Sequence, residues 1–266
     1  MTDFEALKSM EQRLLWLSSW IVHNANHLRE KEEGDVKVGG HQASCASMVS
    51  IMTALYFHTL RPEDRVAVKP HASPVFHAMQ YMMGNQTREK LENFRGMQDY
   101  LEAKPWASDR QLGRMIALVG DAELDEGNVY ECLQEGWKHD LRNTWWVIDY
   151  NRQSLDGVVH EGLWEKIDAI FKAFGWRTIV LRHGVLQRAA FEEPGGDALK
   201  QWIQSCPNAD YSALTYQGGA AWRKRLMDDI GDQGDVTTLL DARSDDELSA
   251  LMNNLGGQCV QSLCDA

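Results

Sequence analysis

The sequence predicts an α/β fold, a parallel sheet with helices on both faces. Three features carry that expectation. A short apolar run at residues 115–119 stops abruptly at Gly120-Asp121, a helical stretch succeeds it at 128–138, and a second apolar run occupies 145–150. Strand, helix, strand is a βαβ unit, whose crossover is expected to be right-handed.

Taken in chain order, the first element is a long helix. Between residues 3 and 33 the apolar side chains Leu7, Met10, Leu14, Leu17, Ile21 and Leu28 recur at helical steps, with Ala25 filling the gap. Its simplest role is core or subunit packing. Gly34 and then Gly39-Gly40 end it, and a second apolar helical stretch covers 43–60. Pro62, Pro70 and Pro74 punctuate the next stretch of chain, so 66–68 can be at most a short strand between loops. After the strand at 115–119 comes an acidic turn at 123–127, then the helix and second strand of the βαβ unit. A helix at 163–174, a strand-like run at 177–181 and a helix at 197–205 extend the alternation. From Asn208 onward the chain reads as polar and helical, with acidic stretches at 228–235 and 245–247 that suit a solvated face. The expected organisation is a helical segment over 1–40, an α/β cofactor domain over 41–206 and a helical extension over 207–266 leading to further domains.

The 266 residues carry 27 Lys+Arg against 39 Asp+Glu, a formal net charge of −12 that repels phosphate backbones and anionic lipid. No nucleic-acid partner is expected. With 44% hydrophobic and 25% charged residues the chain can build a core, which excludes disorder as its main state. Five scattered cysteines without a CxxC pair argue against a disulfide framework or zinc ribbon. Reduced thiols, an acidic N-terminus unlike a signal peptide, and no apolar run near the ~18 residues that span a bilayer together point to a cytoplasmic protein without a membrane partner.

Ligands of open parallel sheets bind beyond the carboxyl ends of the strands. Asp121 and Asn151 both stand at such ends, thirty residues apart, so adjacent strands would deliver them to one rim, with Gln153 two residues further on. A carboxylate, an amide oxygen and one further oxygen form a hard-oxygen set that suits Mg²⁺ or Ca²⁺ and leaves positions for phosphate. Such a site can hold a diphosphate.

Two segments at this spacing carry a resemblance. Gly120-Asp121-Ala122-Glu123-Leu124-Asp125-Glu126 followed by Val147-Ile148-Asp149-Tyr150-Asn151-Arg152-Gln153-Ser154-Leu155-Asp156-Gly157 resembles the thiamine diphosphate fingerprint of the transketolase superfamily. Within that superfamily the chain is similar to the homodimeric, decarboxylating first component of the bacterial pyruvate dehydrogenase complex, specifically its N-terminal diphosphate-binding domain. Gly39-Gly40-His41-Gln42-Ala43-Ser44, Pro70-His71-Ala72-Ser73-Pro74, Asp210-Tyr211-Ser212-Ala213-Leu214-Thr215 and Asn254-Leu255-Gly256-Gly257 also fit, from about residue 20 to the end.

The resemblance implies that Asp121, Asn151 and the Gln153 carbonyl hold Mg²⁺ against the cofactor's diphosphate. It further implies backbone contacts from Ala122 and Glu123, packing by Leu155, and polar contacts from His41, Ser44 and His71 to diphosphate or substrate, the two histidines in catalytic positions. Imidazole suits such work because it donates hydrogen bonds and exchanges protons near neutral pH. The implied activity is oxidative decarboxylation of pyruvate with acetyl transfer to the lipoyl groups of an acyltransferase partner, in a homodimer. This chain alone would be inactive, because a pyrimidine-binding domain must supply a glutamate to the cofactor. Transketolase-like ketol transfer, or a shortened non-catalytic dimerisation or binding module, are the alternatives.

Several positions depart from the family pattern. Ala122 stands where Gly is usual, Lys69-Pro70 precede His71 where Gln-Gly is expected, and Asp149 replaces an Asn. Between residues 98 and 113 the chain has only a short polar link where the family carries a longer segment that touches the cofactor.

Overall fold

The computed structural model describes residues 2–29, 39–94, 113–150, 153–154, 157–158 and 162–266. The chain divides into two compact units, Met1–Asn151 and Arg152–Ala266.

The first unit opens with α1 (Phe4–His23), whose N-terminus is capped by Asp3: the carboxylate accepts the Ala6 N–H at 3.0 Å, satisfying a donor that no helical carbonyl can reach. Leu7, Leu14 and Ile21 are buried at seven-residue steps, the inner face of the expected helix. A π-helical turn at Asn24–Leu28 continues it. The expected helical stretch 43–60 forms α2 (Gln42–Ala54), which widens into a second π turn at Leu55–Thr59. All seven residues from Met48 to Ala54 are buried, so α2 is a core helix packed against α1. Next come β1 (Arg65–Val68), α3 (Ser73–Met82), which packs on α1 and α2, and α4 (Arg88–Glu92).

The βαβ unit consists of β2 (Met115–Gly120), α5 (Gly127–Lys138) and β3 (Thr144–Asp149). The three strands form one parallel sheet in the order β1-β2-β3. The expected α/β class is therefore observed. In the central strand Ile116, Leu118 and Gly120 are buried at the two-residue period of a sheet face. At the opposite end of the strands Asp64 and Arg114 lock the register. Arg114 donates to the Asp64 carboxylate from its backbone N–H (2.7 Å), Nε (3.0 Å) and Nη2, while its guanidinium stacks 4.4 Å from the Trp145 ring of β3. Starts of all three strands are thereby tied together.

The second unit begins with the short antiparallel pair β4 (Gln153–Ser154) and β5 (Gly157–Val158) and is otherwise helical: α6 (Leu163–Ala173), α7 (Val185–Phe191), α8 (Gly196–Ser205), α9 (Asn208–Gln217), α10 (Gly219–Ile230), α11 (Val236–Asp241), α12 (Asp245–Met252) and α13 (Val260–Asp265). Its core surrounds the fully buried Trp222, against which Trp202 and Tyr211 pack edge-on. The polar tips of the two surrounding rings have partners, Trp202 Nε1 donating to Asp229 at 2.8 Å and the Tyr211 hydroxyl to the Met252 carbonyl at 2.5 Å. Helices α10 and α12 approach so closely that a Cβ on Gly219 would lie 1.8 Å from the Asp245 carbonyl oxygen.

One expected element is absent. Residues 177–181 form no strand, and Ile179 and Val180 are more than half exposed. A β-branched run becomes a strand only when a neighbouring backbone completes its ladder. Around it the described residues of this unit offer a single bridge, between His183 and Leu255.

Candidate functional site

Register fixes where the candidate site lies. β2 and β3 pair in parallel up to Gly120 opposite Asp149, so both strands finish level, and the residues after each leave the sheet at the same rim. Lys69 extends the ladder one residue beyond β1, its N–H donating to the Leu118 carbonyl at 3.0 Å. The turn at Pro70–Ala72, which carries His71, starts from that same edge.

Asp121 opens a 3-10 turn (Asp121–Asp125) and is 4% exposed. Its Oδ1 accepts the Ala122 N–H at 3.1 Å, and Glu123 Oε2 accepts the Gly120 N–H at 3.1 Å. These bonds hold both carboxylates at the strand end, with Ala122 half-buried between them. Asn151 and Leu155 lie outside the described residues. Gln153 belongs to the second unit, where its backbone pairs with Val158.

His41 occupies the N-cap position of α2 and His71 sits in the turn after β1; both are exposed, and their rings meet edge to face with centroids 5.0 Å apart. The Cys45 thiol of α2 donates to the His71 carbonyl at 3.6 Å, which ties this turn to the helix. Ser44, half-buried, lies in the first turn of α2 beside this pair in sequence. His41 also lines a cavity of about 320 Å³ with His23, Asn26, His27 and Gln42. His23 and His27 are themselves 5.0 Å apart by ring centroids. Nothing in their flanking sequence sets these two apart from ordinary surface or core histidines; their four-residue spacing at the end of α1 is the signal that both face one side.

Two departures from the family pattern meet at the rim. Lys69 Nζ donates to Asp149 Oδ2 at 2.8 Å, with side chains only 5% and 11% exposed. The ammonium lies over the end of β2, 3.5 Å from where a Cβ on Gly120 would sit. The rim therefore gathers one cation, Lys69, with three carboxylates, Asp121, Glu123 and Asp149.

This donor set fits a phosphate group held jointly with a cation. Asp121 has a buried carboxylate of the kind that can bind a metal, and the exposed imidazoles can donate to anionic oxygens. Among the described residues no three His, Cys, Asp or Glu side chains converge on a metal position. A divalent ion here would depend on amide and carbonyl oxygens beside Asp121. Among the described residues, too, no helix is long and apolar enough to cross a membrane.

No family model matches the chain. It is 24% identical to the pyruvate dehydrogenase E1 component of Escherichia coli (strain K12), over 84% of this chain and 30% of that protein. Identity is 22% to the pyruvate dehydrogenase E1 component of Corynebacterium glutamicum, over 92% of this chain and 31% of the relative. With transketolase-like protein 2 of Mus musculus it is 29%, over 53% of this chain and 29% of that one. The chain is a relative of transketolase-superfamily proteins. It spans less than a third of the length of these relatives.

Proposed function

We propose that the chain is the diphosphate-binding part of a thiamine diphosphate- and Mg²⁺-dependent enzyme. Its reaction is oxidative decarboxylation of pyruvate, with acetyl transfer to the lipoyl groups of an acyltransferase partner. The observation that carries this reading is the level finish of β2 and β3, which sends Asp121 and the residues after Asp149 off one rim. On this reading Asp121, Asn151 and the Gln153 carbonyl hold the metal, and Ala122, Glu123, Ser44 and Leu155 border the cofactor.

When bound, the cofactor supplies the carbanion chemistry that a 2-oxo acid needs. The chain's own residues position and protonate. Exposed imidazoles of His41 and His71 donate hydrogen bonds to phosphate or carboxylate oxygens and relay protons to bound substrate. Asp121 is held by its own turn, so its carboxylate meets a cation without reorganising. The setting that suits this role is a cytoplasmic homodimer, completed by the pyrimidine-binding domain, with 41–206 as the cofactor domain.

Transketolase-like ketol transfer is the second reading, favoured by the similarity to the mouse transketolase-like protein. The two are separated by offering pyruvate and a ketose phosphate to the full-length protein with thiamine diphosphate and Mg²⁺. Turnover of pyruvate supports the first reading; turnover of the sugar alone overturns it. Absence of both turnover and cofactor binding would identify a non-catalytic module.

A further inference from the structure

A second group of ligand-type side chains lies outside the strand-end rim. Helix α1 ends at His23, and the π-helical turn at Asn24–Leu28 that continues it carries His27. Residues four apart on a helix are neighbours on one face, and both imidazoles are exposed there, with ring centroids 5.0 Å apart and planes inclined at 37°. An ion bound at ~2.1 Å from one nitrogen of each ring, in tetrahedral fashion, sets two imidazole centroids roughly 5 Å apart. The observed spacing is that of a chelating pair. Single π turns of this kind recur at functional sites.

The chain holds a second wall against this pair. Asn26 Oδ1 accepts the Gly39 N–H at 2.9 Å, and a Cβ on Gly39 would lie 2.5 Å from the Val22 carbonyl oxygen, so the segment leading into His41 rests on the end of α1. At the start of α2, Gln42 Nε2 donates to the Ser19 carbonyl at 3.3 Å. Between the two walls is the cavity of about 320 Å³ that His23, His27 and His41 line. Among the described residues no third His, Cys, Asp or Glu converges with the pair, so water completes the shell of an ion bound there. These donors select the metal. Imidazole nitrogen suits Zn²⁺, Ni²⁺ or Cu²⁺, whereas Mg²⁺ and Ca²⁺ take oxygen ligands.

We propose that His23 and His27 form a binding site for a borderline divalent ion of the zinc and nickel class, different in chemistry from a Mg²⁺ position at the ends of β2 and β3. The site does not depend on the diphosphate reading. Its ion shares a cavity with His41, the imidazole whose ring meets that of His71.

The test is calorimetric titration of Ni²⁺ into the full chain after treatment with EDTA and dialysis. Ni²⁺ is the probe because imidazole suits it, while the free cysteines would compete for Zn²⁺. Wild type is expected to bind one ion per chain at its tightest site. Loss of an outer-shell group already weakens metal sites about 10–100-fold, so His27→Ala, which removes a ligand, should weaken this site at least about tenfold. His139→Ala removes an exposed imidazole paired with Glu135 at the end of α5 and should bind as wild type does. Diethyl pyrocarbonate modification of wild type, read by mass spectrometry, gives a result that needs no variant to fold: Ni²⁺ should protect His23 and His27 together. The proposal is overturned by wild type that does not bind, by unchanged affinity in His27→Ala, or by undiminished modification of the pair. A loss in His139→Ala as large as in His27→Ala would mean scattered surface adsorption only, and overturns it too.

Discussion

Substituting Asp64 by Ala should loosen the sheet from the end opposite the candidate site. The Asp64 side chain is 1% exposed and accepts the Arg61 N–H at 2.9 Å as well as three donors of Arg114. Removing it leaves a guanidinium, 19% exposed, with its charge uncompensated beside β1 and β2. Breaking a buried pair in this way costs about 3–5 kcal/mol. Against a total stability on the order of 5–15 kcal/mol, that is a large fraction, and for a protein of this size it corresponds to a fall in Tm of roughly 10 °C. The Arg114 side chain holds the Asp64 carboxyl far below the usual carboxylate range, with burial opposing and the backbone N–H groups of Arg61 and Arg114 assisting. A carboxylate with a depressed native pKa stabilises fully above its unfolded value of about 3.9, and that stabilisation is lost as pH falls through the native pKa. The gap between wild type and Asp64→Ala should therefore be widest near neutral pH and narrow below about pH 4. Urea unfolding followed by circular dichroism at several pH values measures it. A difference under about 1 kcal/mol at neutral pH, as for an exposed pair, would refute the reasoning.

Other consequences concern the helical unit. Gly219→Ala places a methyl group 1.8 Å from the Asp245 carbonyl oxygen, so α10 and α12 must separate, at a cost of about 1–3 kcal/mol in chemical denaturation; unchanged stability would mean that the helices do not pack this closely. Ser244 caps α12, its hydroxyl accepting the Glu247 N–H at 3.2 Å while Glu247 Oε2 accepts the Ser244 N–H at 2.8 Å. Ser244→Ala should cost about 1 kcal/mol, and Ser244→Asn much less, which thermal unfolding of both variants would distinguish.

How far the fold was legible depended on whether its cause was local. The run 115–119 ends at Gly120-Asp121 because a buried strand ends where a turn begins, and the observed strand differs by one residue. The helix expected over 163–174 ends one residue earlier, at Ala173. Ile179 and Val180 misled because a strand is completed by a partner backbone, which no local pattern reveals. The same limit applied at the site. Asp121 stands at the end of β2, where the apolar run stops in the sequence, and the structure adds that His41 and His71, thirty residues apart, meet edge to face. The ion pair of Lys69 with Asp149 joins residues 80 positions apart, so each looked like an isolated departure until the sheet placed them together. Positions 95–112, 151 and 155 lie outside the described residues, and with them the short link, Asn151 and Leu155.

On the proposed function, neighbouring strand ends bring an acid and an amide to one cation that anchors a diphosphate. Titrating thiamine diphosphate into wild type and Asp121→Ala, with and without Mg²⁺, tests it most directly. Wild type should bind more tightly with Mg²⁺ and the variant should show no such gain, while keeping its fold. A gain of equal size in the variant would place the metal elsewhere and contradict the account.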